Sequence, residues 1–250
     1  MTTETYRELF EAHEGRVVSK WNHYFEIYDQ YLAKYRGKPV KMLENGVADG
    51  GSLQLWRKFL GPNARLVGLD IDSRCLARAE DGIQIEIGDQ GDPEYLKSLA
   101  ERAGPFDIIL DDGSHRMEDL QNSFLTLFKS LTPSGIYLAE DLHTCYWPEY
   151  GGGYRKKGTF VENLKSVIDD IHALHSLDTE EFQIGWFTLT VKAMHFHDSI
   201  AVVEKTELWD EKGKVDVPRQ VAAGGTKLQE SPPGPFLGDF LDREFSREVK

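Results

Sequence analysis

The chain has 250 residues, 40% of them hydrophobic, which suits one α/β domain with a sizeable core. Its formal net charge of −13 repels phosphate backbones and anionic lipid, so neither nucleic acid nor a membrane surface is an expected partner. Two cysteines imply no disulfide framework, Met1–Phe10 lacks the basic and apolar regions of a signal peptide, and no run of about eighteen apolar residues is present, so a cytoplasmic protein is expected.

Residues 1–36 form the first unit. Leu9, Phe10, Val17, Val18, Trp21, Tyr24, Phe25, Tyr28 and Tyr31 recur at roughly helical spacing. Two helices, or one interrupted near Gly15, are expected, capping the core or a second subunit rather than taking part in chemistry.

From Lys38 the pattern alternates between strands and helices. Val40–Glu44 reads as a strand, and Leu53, Trp56, Phe59 and Leu60 as a helix face. Arg65–Leu69 is a second strand and Ser73–Ala79 a short helix. Ile83–Ile87 is a third strand, followed by a helix from Pro93 to Gly104. Phe106–Leu110 is a fourth strand. Met117, Leu120, Phe124, Leu127, Phe128 and Leu131 share a helical face, and Thr132-Pro133-Ser134-Gly135 stops that helix. Ile136–Ala139 is a fifth strand. A helix over about Phe160–His175 precedes two strands, Phe187–Phe196 and Ile200–Glu204, joined by a hairpin-like His197-Asp198-Ser199.

Strands alternating with helices at this length predict an α/β fold with a mostly parallel, doubly wound sheet over 37–206. The tail, 207–250, lacks periodicity and contains Ser231-Pro232-Pro233-Gly234-Pro235. With the N-terminal helices, it favours a homo-oligomer.

Ligands of such sheets bind beyond the carboxyl ends of the strands. After strand one stands Glu44-Asn45-Gly46-Val47-Ala48-Asp49-Gly50-Gly51-Ser52. Its glycines let backbone amides approach a ligand, but their spacing is not that of a dinucleotide fingerprint. Glu44 and Asp49 suit a sulfonium and an amino group better than a pyrophosphate. Asp70 ends strand two, where a carboxylate can accept both ribose hydroxyls, and Gly88-Asp89-Gln90 ends strand three, where an adenine edge would sit. In this order the three loops resemble the signature of class I methyltransferases, with a Rossmann-like seven-stranded sheet ending in an antiparallel hairpin. The resemblance implies S-adenosylmethionine, bound by Glu44, Gly46, Asp49, Ser52, Asp70, Asp89, Gln90 and Asp111. Asn45 departs from the pattern, since an apolar residue is usual there.

Asp111-Asp112-Gly113-Ser114-His115 ends strand four and Glu140-Asp141 ends strand five. Neighbouring parallel strands bring these ends together, so Asp112, Glu140 and Asp141 form a cluster of carboxylates that repel one another when unpaired. A hard divalent cation such as Mg²⁺ relieves that repulsion. His115 is expected to face the same cleft, and histidine is a side chain suited to act as general base for a hydroxyl made more acidic by the cation.

Asp112-Gly113-Ser114-His115 followed by Glu140-Asp141-Leu142-His143-Thr144-Cys145-Tyr146-Trp147 resembles the sugar O-methyltransferases of macrolide and deoxysugar pathways, the macrocin and mycinamicin O-methyltransferase-like group. Catechol-type enzymes usually carry lysine at the position of His115 and Asp-Asn at that of Glu140-Asp141. The resemblance implies Mg²⁺ on Asp112, Glu140 and Asp141, Asp112 and His115 as catalytic residues, and a sugar or glycoside acceptor. A catechol-type phenol methyltransferase, a hydroxylase-like relative and a cofactor-binding protein without turnover are the alternatives, and a nicotinamide dehydrogenase fits least.

A lid is expected over about 145–160. Tyr146, Trp147 and Tyr154 offer faces for a sugar, Arg155 a contact to a phosphate, and Gly151-Gly152-Gly153 a hinge. His143 is placed near the acceptor. His195 and His197 alternate on a strand, but no third metal ligand stands with them.

Overall fold

The computed structural model describes residues 4–177 and 180–208. Most of the tail, 209–250, lies outside the described residues, and so does the expectation that it takes part in assembly.

Two N-terminal helices form, α1 (Tyr6–Glu11) and α2 (Tyr24–Leu32). Thr5 caps α1 in a reciprocal box with Glu8, and the Tyr6 amide donates to Asp29 of α2, tying the pair together. Between them, residues 12–23 cross the domain without regular structure. Tyr6, Tyr24, Phe25 and Tyr28 are buried in one continuous core with Trp56 and Phe59.

The sheet holds seven strands: β1 (Lys41–Asn45), β2 (Arg65–Asp70), β3 (Ile83–Ile87), β4 (Phe106–Asp111), β5 (Leu131–Ala139), β6 (Val191–His197) and β7 (Ile200–Lys205). Their order is β3-β2-β1-β4-β5-β7-β6, with β1 to β5 parallel and β7 antiparallel to both β5 and β6. The expected mostly parallel sheet with a terminal antiparallel hairpin is therefore present. The interior strands are apolar on both faces because helices cover both. Tyr6, Trp56 and Met42 belong to the core on one side, and Leu43, Phe124 and Phe128 to that on the other. Helices α3 (Gly51–Leu60), α4 (Pro93–Ala103) and α5 (Met117–Leu127) form the crossovers. Helices α6 (Phe160–His172) and α7 (Trp186–Thr190) precede the hairpin.

Two local expectations change. Thr132-Pro133-Ser134-Gly135 does not only stop α5, because strand β5 already begins at Leu131. Phe187–Thr190, read as strand, is the short helix α7. The Thr188 hydroxyl accepts from the Gly185 amide at 3.0 Å, and the Thr190 hydroxyl donates to the Trp186 carbonyl at 2.8 Å. These local bonds favour a helical turn over the extended form that the side chains alone suggest. The short helix expected over Ser73–Ala79 is present as a 3₁₀ helix, Ser73–Arg78.

The chain runs outward from β1 to β2 and β3, then returns to place β4 on the other side of β1. The crevice at this reversal is where such sheets hold their ligands. Strand register aligns Asn45 with Asp111 and Asp111 with Ala139, so the loops after β1, β4 and β5 leave the sheet at one level. Among the described residues no helix is long and apolar enough to cross a membrane.

Candidate active site

A cleft of about 700 Å³ opens above the ends of β1, β2 and β3. Gly46, Asp49, Ser52, Asp70, Asp89 and Gln90 line it. The Asp70 carboxylate accepts from the amides of Val47 (2.9 Å), Ala48 (3.1 Å) and Asp72 (2.9 Å). Burial pushes its pKa up, but these amides outweigh burial and hold it below the usual aspartate value. Asp89 accepts from the Gly91 amide at 2.7 Å. Ile71, next to Asp70, lines the cleft with 72% of its surface exposed. With Val17, also 72% exposed, it gives the cleft exposed apolar surface, and no motif marks Ile71 in the sequence.

Gly46 shows why that loop is rich in glycine. Its φ is +92°, and a Cβ there would lie 2.2 Å from the Asp112 carbonyl oxygen. Gly46→Ala is therefore expected to push the β1 and β4 loops apart and weaken cofactor binding at least about tenfold. Isothermal titration with S-adenosylhomocysteine checks this, and wild-type affinity would contradict the tight contact.

Glu44 and Asp111 do not line the cleft. Both are fully buried beneath it, which corrects the expectation that they face the cofactor alongside Asp70. The Ser52 hydroxyl donates to Glu44 Oε1 at 2.5 Å, while Glu44 Oε2 has no hydrogen-bond partner. Burial, opposed chiefly by Lys20, pushes the Glu44 pKa up to about 7. Asp111 accepts from Tyr137 at 2.5 Å and from Gln90 Nε2 at 3.0 Å. Gln90 in turn accepts from the Ser114 amide at 2.8 Å. Asn45 joins the same network by donating to Ser123 Oγ at 2.8 Å, and Ser123 Oγ lies 3.1 Å from the Tyr137 hydroxyl. The residue that departs from the apolar pattern is thus one end of a buried polar chain that reaches the loop carrying His115.

The second centre lies over the ends of β4 and β5. Asp112, His115 and Asp141 each offer a ligand atom, all within 4.8 Å of one another. His115 Nε2 is 3.8 Å from both carboxylates, and its Nδ1 is buried without a partner. His115 and Asp141 hold left-handed backbone, with φ of 56° and 54°. Tyr24 donates to Asp141 Oδ1 at 2.6 Å.

Glu140, expected as a cation ligand, stands apart from this group in the structure. The Tyr28 hydroxyl donates to its Oε1 at 2.5 Å and the Lys20 ammonium to its Oε2 at 2.8 Å. Lys20 also hydrogen-bonds to Asp112 Oδ2 and lies 3.9 Å from Glu44. Its side chain is only 3% exposed. Burial alone would lower the lysine pKa, but Asp112, Glu140 and Glu44 together raise it well above the ordinary value. Burial pushes Glu140 the other way, up from the usual carboxylate range.

Lys20, Tyr24 and Tyr28 all come from the N-terminal unit, which was expected only to cap the core. Arg16 fixes the crossing. Its amide donates to Gln54 Oε1 at 2.8 Å and its guanidinium to the Arg78 carbonyl at 2.6 Å. The passage needs Gly51, where a Cβ would sit 2.3 Å from the carbonyl oxygens of Arg16 and Val17.

A smaller pocket of about 240 Å³ adjoins the carboxylates, lined by Ser19, Lys20, Trp21, Tyr24, Asp112, Glu140 and Asp141. His143 stands near its rim, its ring 4.8 Å from that of Trp147 and 5.9 Å from that of Trp21, with Nδ1 2.6 Å from Ser199 Oγ. Tyr146 and Trp147 are largely exposed. Tyr154 and Arg155 line neither cavity, and the Arg155 guanidinium lies 5.2 Å over the Tyr154 ring. The glycine run of the expected lid is fastened at its base, since the Gly152 and Gly153 amides donate to the carbonyls of Trp147 and Cys145. His195 pairs with Glu204 at 3.0 Å and His197 with the Tyr31 hydroxyl at 3.1 Å.

The strand order, the cleft at the reversal and the acidic loops are those of a class I, Rossmann-like methyltransferase fold. No family model matches the chain. The chain is homologous to sugar O-methyltransferases. It is 35% identical over 211 residues to demethylmacrocin O-methyltransferase of Streptomyces fradiae, covering 79% of this chain and 53% of that one. It is 36% identical over 190 residues to mycinamicin VI 2''-O-methyltransferase of Micromonospora griseorubida, covering 71% and 47%. Among solved structures, the MycE methyltransferase of the mycinamycin biosynthetic pathway, in complex with Mg, SAH and mycinamycin VI, matches with a TM-score of 0.74 at 33% identity. That match covers 82% of this chain and 54% of MycE. The chain thus spans about half the length of the curated relatives it matches.

Proposed function

We propose that this chain transfers a methyl group from S-adenosylmethionine to a sugar hydroxyl of a deoxysugar, nucleotide sugar or glycoside, with Mg²⁺ at the acceptor. The observation that carries this reading is the junction of the two cavities. Asp112 and Lys20 line both, so the end of the cofactor cleft opens onto the carboxylates, with His115 Nε2 3.8 Å from Asp112 and Asp141.

The residues suit both groups. The large cleft offers Asp70 for ribose hydroxyls, Ile71 for the face of a base and Asp49 for positive charge, with Glu44 buried beneath its floor. The unpartnered Glu44 Oε2 is a buried acceptor that the protein leaves unused. At the acceptor, Asp112 and Asp141 provide hard oxygen donors without a cysteine, the chemistry that suits Mg²⁺, and Glu140 is a third oxygen ligand once its own partners release it. When bound, S-adenosylmethionine supplies an electrophilic methyl on a sulfonium and Mg²⁺ supplies a Lewis acid that favours the alkoxide form of the acceptor.

The protein supplies position and proton transfer. Asp112 and Asp141 hold the acceptor end at the mouth of the cleft. With the cofactor bound, His115 Nε2 would be placed to accept the hydroxyl proton that the acceptor loses on methylation. Trp21, His143 and Trp147 surround the outer edge of the small pocket, where aromatic faces suit a sugar ring.

The test is a mass-shift assay with S-adenosylmethionine and a panel of deoxysugar nucleotides and glycosides, in Mg²⁺ or in EDTA. A gain of one methyl mass on a sugar, abolished by EDTA, is expected. A gain that survives EDTA would remove the metal from the reading, and no gain on any sugar would remove the acceptor class.

A further inference from the structure

Lys20 accounts for something the proposed chemistry does not use: a fully charged ammonium buried among the acids that should receive the cation. Its Nζ bonds to Asp112 Oδ2 and Glu140 Oε2, oxygens of two of the three expected ligands. A divalent ion bound to Asp112 and Glu140 must approach those oxygens to about 2.0–2.1 Å. The ammonium already stands against them, and two cations in one small buried pocket repel strongly. We infer that Lys20 is a tethered internal cation that occupies the Mg²⁺ position of the acceptor centre and is displaced when the divalent ion loads. The inference rests on the metal site of the proposed function and adds the residue that competes for it.

The surroundings suit displacement. Tyr28 holds Glu140 from the other side, so the acid keeps its place when the ammonium leaves. Tyr24 does the same for Asp141. Residues 12–23 have no regular structure, and the anchor at Arg16 lies four positions before Lys20. Val17 and Trp21 on either side are 72% and 55% exposed, so in the stretch between them Val18 alone packs on the core and must be uncovered for Lys20 to move outward. In the absence of the divalent ion, Lys20 screens Glu44, Asp112 and Glu140 from one another and keeps the centre assembled. In its presence the lysine leaves, and oxygens on both acids become free.

Two measurements on the full chain test this. Mg²⁺ binding is followed by calorimetry for the wild type and for Lys20→Met, which keeps the length and apolar stem but has no charge to displace. Lys20→Met is expected to bind Mg²⁺ roughly tenfold more tightly or better, because binding no longer requires breaking two ion pairs. Equal or weaker affinity than wild type overturns the inference while leaving the metal site standing. Absence of Mg²⁺ binding in both proteins overturns the inference and the metal reading together. The second measurement needs no variant: amine acylation of the wild type, read by peptide mass spectrometry with the exposed Lys58 as reference. Lys20 is expected to be protected without Mg²⁺ and labelled several-fold faster with it. Protection that Mg²⁺ leaves unchanged overturns displacement.

Discussion

His115→Ala is expected to lower kcat by about 10²–10⁴-fold while leaving affinity for S-adenosylmethionine unchanged. The reason is where the side chain sits. His115 follows β4 on the loop that carries Asp112, beside the small pocket, and it does not line the cofactor cleft. Its Nε2 is 3.8 Å from both Asp112 and Asp141, within reach of a hydroxyl held between them. Removing the ring takes away the proposed proton acceptor but no residue of the cofactor cleft. Stopped assays of methyl transfer beside calorimetric titration with S-adenosylhomocysteine separate the two effects. Wild-type turnover in the variant would end the assignment of the base, and a matching loss of cofactor affinity would point to a collapsed loop instead.

The second large effect concerns the cation. Asp141→Asn should raise the Mg²⁺ concentration for half-maximal activity by about a hundredfold or more, given that even partners behind a ligand change metal affinity by about 10–100-fold. Asparagine is the informative choice. It keeps the size of the side chain and an oxygen that can accept from Tyr24. It also tolerates the left-handed backbone of this position, φ 54°, better than most residues. The fold should persist while the charge is lost. A Mg²⁺ titration that matches wild type would place the cation elsewhere.

That these two residues come together was legible in the sequence because each lies on a loop that follows a strand. Alternating strands and helices fix which loops meet, and Asp112-x-x-His115 and Glu140-Asp141 fall on adjacent loops. The loops after β1, β2 and β3 were readable for the same reason. Lys20, Tyr24 and Tyr28 were not. Their carboxylate partners lie 92, 117 and 112 residues further along the chain, beyond any local pattern. The two tyrosines also fall on a helical apolar face, where the ring explains the spacing and the hydroxyl goes unnoticed. Asn45 looked like a flaw in an apolar strand because its partner, Ser123, is on α5. Glu44 and Asp111 sit at the right strand ends, yet burial beneath the cleft depends on the direction each side chain takes, which loop spacing does not set.

The left-handed backbones of Ala48, His115 and Asp141 set these loops against their own local preference. Each such residue costs of order 1–3 kcal/mol relative to a relaxed conformation, and only the surrounding contacts hold it. Glycine at His115 or Asp141 would relieve that strain while deleting the group proposed to act. A library selected only for heat resistance should therefore be drawn toward the positions that the chemistry needs, and thermal robustness gained there would mark activity lost.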